Sequence, residues 1–194
     1  MVIAYIIMLA IAVVLLLVYT LMLYQKKKQV GLLILHISVC IVNLGYLLLS
    51  VFTTVDFALI ATKITYLGQI LVINSMFFII IKLCGFKMSK VVFIISSVLE
   101  VLTFALVCTA GYLPWYYKEV VFVWENGGAT LHKEYGPLHI TYLLYVVSAF
   151  IAMFTSIIYS LAMKKERLAQ TRGLAYRGSR WKHRYVDNGK IRAV

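Results

Sequence analysis

Five stretches of the chain run for about twenty residues or more with almost no charge, and nothing else in the sequence constrains the fold as strongly. An α-helix rises 1.5 Å per residue, so about 20 apolar residues cross the hydrocarbon core of a bilayer. Lipid offers no partner to backbone N–H and C=O groups, so runs of this length must satisfy them internally, as helices. The runs lie at about residues 2–24, 30–52, 58–83, 91–113 and 140–163. Val2–Tyr24 carries no charge and lacks both the basic start and the small-residue cleavage site of a signal peptide, so it reads as a span. The composition agrees: 63% of the residues are hydrophobic and 13% charged, against about 45–50% and about 25% in a soluble domain. The expected class is all-α, a polytopic membrane bundle of five transmembrane helices.

Lysines set the expected orientation. Lys26, Lys27 and Lys28 follow the first span, Lys82, Lys87 and Lys90 lie between the third and fourth, and Lys164 and Lys165 follow the fifth. Positive residues concentrate in cytoplasmic loops, which predicts the N-terminus outside and the C-terminus inside. The same rule puts residues 114–139 outside. This stretch holds both prolines, two of the three tryptophans and three of the seven acids. Lys118–Trp124 is β-branched and aromatic, Asn126-Gly127-Gly128 is a turn signal, and Ala129–Tyr135 suits a return strand, so a small extracytoplasmic hairpin-like cap is expected. Trp115, Tyr116, Tyr117 and Tyr142 fall where an interfacial aromatic belt is expected.

The net charge is +12. Lys164–Val194 carries ten basic and two acidic residues, so most of that charge belongs to a tail at 166–194, outside a bundle of residues 1–165. Eleven lysines and no arginine precede position 166, whereas six arginines and two lysines follow it. One reading is a juxtamembrane segment for anionic lipid. The other, favoured by the change in Lys/Arg usage, is a reading frame disrupted near Gln170, leaving the tail outside the fold. Nucleic-acid binding is not expected, because no fold would present Trp181–Tyr185. Cys40, Cys84 and Cys108 lie in or beside apolar runs without a C-x-x-C pair, and read as small packing residues.

Polar residues within lipid are the best pointers to function. Asn43, Asn74 and Glu100 fall within about 6 Å of one another in depth, counted at 1.5 Å per residue. They form a candidate intramembrane cluster, to which Thr155 or Ser156 can add. Two readings stand: interhelical packing hydrogen bonds, or a switch or ligand contact at Glu100. Nearer the cap, Lys63, Tyr66 and Gln69 make one of the more polar faces of any span. With Trp124 and His139 of the cap they are the candidate lining of a small outward-facing pocket; the plainer reading is interface packing and an aromatic belt. Lys63 is also placed to snorkel. Gly45 and Gly68 allow close helix approach. His36 reads as a packing residue. His132, Glu134 and His139 make a weak case for a metal, and neither metal nor cofactor is expected. The chain lacks H-E-x-x-H, G-x-S-x-G and a Gly-rich phosphate loop, so no enzymatic activity is expected in it.

The run Ala61-Thr62-Lys63-Ile64-Thr65-Tyr66-Leu67-Gly68 resembles the third-helix signature A-x-K-I-x-Y-L-G of the bacterial N-terminal seven-transmembrane sensor region that precedes histidine kinases and diguanylate cyclases. Tyr135-Gly136-Pro137-Leu138 is similar to that family's lead-in to its fifth helix. The resemblance covers about residues 1–165. It implies a membrane sensory input module of a bacterial cell membrane, detecting a small ligand or membrane cue and relaying it to a cytoplasmic output domain that this chain does not include. It also implies a chain truncated by two helices. The expected partners are the lipid bilayer, an unidentified small ligand, and a second copy or signalling partner. The alternative function is a small transporter or channel subunit built around the Glu/Asn cluster; no internal repeat or broken span favours it.

Overall fold

The computed structural model describes the backbone of residues 2–26, 30–87, 89–125 and 128–190, and the side chains of these except at 23–26, 124–125, 128–129 and 165–190. In chain order the elements are α1 (Val2–Lys26), α2 (Val30–Val51), α3 (Val55–Leu83), α4 (Lys90–Cys108), β1 (Tyr117–Glu125), β2 (Gly128–Tyr135) and α5 (His139–Lys190). All five helices are long and apolar enough to cross a membrane. Their surfaces say the same: Ile3, Ile6, Ile7, Leu17 and Leu21 of α1, and Val91, Ile94 and Val101 of α4, are all exposed. Apolar surface on this scale needs lipid around it, so the chain is a multi-pass membrane protein. The Asn126-Gly127 turn lies outside the described residues.

Residues Met1–Met153 form one compact unit and Phe154–Val194 a second. In the first, α2 and α3 are the tightest pair, and small residues explain why. A Cβ on Gly45 would meet the Thr65 side chain and, at 2.7 Å, the Thr65 backbone nitrogen. A Cβ on Gly68 would meet the Val42 backbone nitrogen at 2.7 Å and the Ser38 carbonyl at 3.0 Å. Each helix thus offers a glycine to the other's backbone, with Ser38 and Ala61 fully buried along the seam. The hydroxyls in this interface donate to their own helix: Ser38 to the Ile34 carbonyl (2.7 Å), Thr62 to Ala58 (2.9 Å) and Thr65 to Ala61 (3.0 Å). That lets polar residues pack in lipid without an unmet donor.

The hairpin sits over one end of this seam. β1 and β2 pair antiparallel from Tyr117 opposite Tyr135 to Glu125 opposite Gly128, with an irregularity between Tyr117 and Glu119. Val120 and Phe122 of β1 pack against a core of Ala58, Leu59, Val107, Ala110, Tyr116, Tyr117 and Leu131. Gly136 closes the base of the hairpin: its N–H donates to the Tyr116 carbonyl (2.9 Å), and the Leu138 N–H donates to that of Trp115 (2.9 Å). A Cβ on Gly136 would run into the Pro114 and Trp115 carbonyls, so this position of the Tyr-Gly-Pro run has no room for a side chain.

Two helix ends differ from expectation. α4 stops at Cys108 rather than near 113, because the chain turns at Thr109–Tyr112 and Gly111 takes a φ of +86°, which a helix cannot continue through. α5 runs past residue 163 with helical backbone to Lys190. That segment is rich in Arg, Lys, Ala and Leu and contains no proline.

Candidate functional site

Between α2, α3 and β2 lies a cavity of about 220 Å³ lined by Tyr46, Leu49, Thr62, Thr65, Tyr66, Gln69, Lys133 and Tyr135. Its lining is mostly polar in a chain that is otherwise apolar. Gln69 bridges two helices at its floor: its Nε2 donates to the Tyr46 hydroxyl of α2 (3.1 Å), and its Oε1 accepts from the Tyr142 hydroxyl of α5 (3.0 Å). Tyr46 in turn stacks on Tyr5 of α1, with centroids 5.8 Å apart. One side-chain path therefore links α1, α2, α3 and α5.

Tyr66 is the wall nearest the hairpin. Its ring meets Tyr116 edge-on at 5.6 Å and Tyr142 at 4.9 Å. Its hydroxyl accepts from that of Tyr117 (3.1 Å). Tyr116 is 0% exposed and Tyr117 2% exposed, so these two residues are the core beneath the hairpin rather than part of an interfacial belt, while Trp115 remains half exposed. Burial raises both phenols well above the ordinary tyrosine range, and neighbouring tyrosines add to this, so both stay protonated.

Of the expected ligand residues, Tyr66 and Gln69 line the cavity. Lys63 does not: its ammonium sits 4.6 Å from the centre of the Tyr112 ring. His139 stacks on Tyr135 at 3.9 Å and meets Tyr116 at 5.1 Å, one ring away from the lining. Trp124 stands in β1 opposite Ala129, but its side chain lies outside those described. Lys133 lines the cavity and was not singled out from the sequence. Period-2 alternation in β2 carries the signal, since Leu131, Lys133 and Tyr135 must share a face.

The intramembrane cluster forms in part. Asn74 Nδ2 donates to Glu100 Oε2, and Ser96 Oγ donates to Asn74 Oδ1 (2.7 Å). Asn43 donates instead to the Val39 carbonyl of its own helix (2.9 Å). Asn74 and Ser96 also line a groove of about 280 Å³ between α3, α4 and α5, where most of the other residues are apolar. His36 accepts the packing role: its Nδ1 lies 2.7 Å from the Leu32 carbonyl, and its ring stacks on Tyr19 at 4.8 Å. Among the described residues, no three His, Cys, Asp or Glu side chains gather where they could hold a metal.

No curated protein and no solved structure matches the chain. A family model described as the N-terminal 7TM region of histidine kinase matches residues 6–175. The match takes in most of the first span, all of the other four, Tyr66 of α3, and the hairpin that Gly136 closes at its base. The chain therefore belongs to the family of N-terminal 7TM regions of histidine kinases.

Proposed function

We propose that this membrane region receives a small ligand in the cavity under the hairpin and relays its presence through the helix bundle. The supporting observation is the cavity itself: a polar space bordered by β2 and by Gln69, which hydrogen-bonds to α2 and α5 at once. A ligand that competes for the Gln69 amide or the Tyr46 hydroxyl favours a different arrangement of those helices. Only such a difference in affinity between two arrangements can shift an equilibrium. The hairpin faces the outside and both termini follow the lysine rule, N-terminus out and C-terminus in. Output lies on the cytoplasmic side, in a kinase or cyclase partner or domain.

The test is a stability screen of the purified chain in nanodiscs against acids, amines, sugars and alcohols small enough for the cavity. Compounds that raise the melting temperature of the wild type but not of Leu49→Trp, which fills the cavity from a partly buried position of α2, support the reading. A screen in which every stabilising compound acts equally on both proteins contradicts it.

A second reading, a transporter or channel subunit, rests on the Asn74–Glu100–Ser96 network in the groove between α3 and α4. Replacing Glu100 with Gln separates the two. Unchanged folding and ligand response assign the network to packing; a lost ion or solute flux in vesicles assigns it to transport.

A further inference from the structure

Among the described residues, the inward face of the hairpin carries one charge. Val120, Phe122 and Leu131 pack into the core, and Lys133, paired with Val120 across the sheet, lies on the same face. Glu119 and Glu134 fall on the other face, where Lys118 meets Glu134 at 3.6 Å. Lys133 has no ion-pair partner among the described residues; its ammonium lies 5.4 Å from the centre of the Tyr117 ring. A partly buried cation without a counter-ion is unfavourable, so its presence calls for one.

The rest of the lining answers with donors. The hydroxyl of Tyr46 accepts from Gln69 and that of Tyr66 accepts from Tyr117, and each keeps its own O–H to donate. Thr62 and Thr65 are committed to their own helix. The described lining includes no carboxylate and no arginine fork.

We propose that the cavity binds a monoanionic oxygen group, held by the Lys133 ammonium with the Tyr46 and Tyr66 hydroxyls as further donors. A single ammonium matches one negative charge, and the cavity of about 220 Å³ limits the ligand to a small organic acid or to the phosphodiester of a lipid headgroup. This rests on the reading of the cavity as the sensing site. Burial holds Lys133 below the ordinary lysine range, and a bound anion offsets that by favouring the charged form.

The probes are benzoate, benzamide and benzamidine, which share a shape and differ in charge, together with acetate. They are titrated by calorimetry and thermal shift into the full chain in phosphatidylcholine nanodiscs. Benzoate or acetate should bind at least about tenfold more tightly than the neutral and cationic analogues. Lys133→Met should lose that preference, and Lys133→Arg should keep it. A chain that binds none of the probes but is stabilised by added phosphatidylglycerol, with the effect lost in Lys133→Met, identifies the headgroup as the source of the anion. Preferential binding of benzamide or benzamidine, lost in Leu49→Trp, overturns the anion assignment while leaving the cavity as the sensing site. Benzoate binding untouched by Lys133→Met overturns the assignment as well. No response to any probe or lipid overturns both.

Discussion

The contact of α3 with α2 and its contact with α4 are built on different principles. Against α2, shape decides: Gly45 and Gly68 each face the partner's backbone, and the hydroxyls nearby turn inward to their own helices. Against α4, hydrogen bonding decides: Asn74 joins Glu100 and Ser96 across a groove that is otherwise apolar. Interhelical hydrogen bonds in membranes contribute only about 0.6 kcal/mol on average, whereas a backbone clash cannot be relieved by a rotamer change. The α2–α3 seam is therefore the rigid part, and it holds the cavity at the hairpin end. The α3–α4 side is the part with slack.

That contrast sets the order of expected effects. Gly68→Val should be the most damaging, by about 2–3 kcal/mol or more in unfolding from detergent micelles, because the added atoms meet the Val42 and Ser38 backbone. A stable Gly68→Val protein would show that the seam is loose. Gly136→Ala should cost about 1–3 kcal/mol and make the hairpin more sensitive to limited proteolysis, since the methyl group meets the Pro114 and Trp115 carbonyls. Tyr66→Phe keeps the rings and removes only the acceptor for Tyr117, so about 1 kcal/mol is expected. Glu100→Gln should change stability by less than about 1 kcal/mol, because the amide oxygen can still accept from Asn74. A larger loss there would reverse the comparison.

The smallest effect is a pH dependence. Lys133 faces Tyr46 of α2, Tyr66 of α3, Tyr117 of β1, Tyr135 of β2 and His139 of α5, with no carboxylate among them. Its pKa is lower in the folded chain than in the unfolded one. Between the two values the unfolded chain binds more protons, so stability rises with pH through that window. Above about pH 10 the sign reverses: unfolded tyrosines ionise, while Tyr116 and Tyr117 stay protonated in the fold. Lys133→Met should remove the rise and leave the fall, read from melting temperature against pH.

The five spans were legible because lipid leaves an apolar run of that length one option. The hairpin was legible because Lys118–Trp124 is too β-branched and aromatic for a loop. The glycine seam was legible at Gly45 and Gly68, though not which backbone atoms each would touch. What escaped depended on direction rather than depth. Residue counting put Asn43 level with Asn74 and Glu100, but Asn43 turns to its own helix. Lys63 is near Tyr66 in sequence yet reaches Tyr112. Tyr116 and Tyr117, as aromatic residues at a span end, fit both belt and core by sequence; only the fold of the hairpin back onto α3 decides between them. Lys133 was hidden among the charges of a loop until the strand register gave it a face.

Hydrogen exchange of the nanodisc-embedded chain, with and without a stabilising probe, tests the central claim most directly. The account predicts that added protection falls on β2 around Lys133 and on α3 around Tyr66 and Gln69, with none around Ser96 and Glu100. Protection centred on Ser96–Glu100, with β2 unchanged, would contradict it.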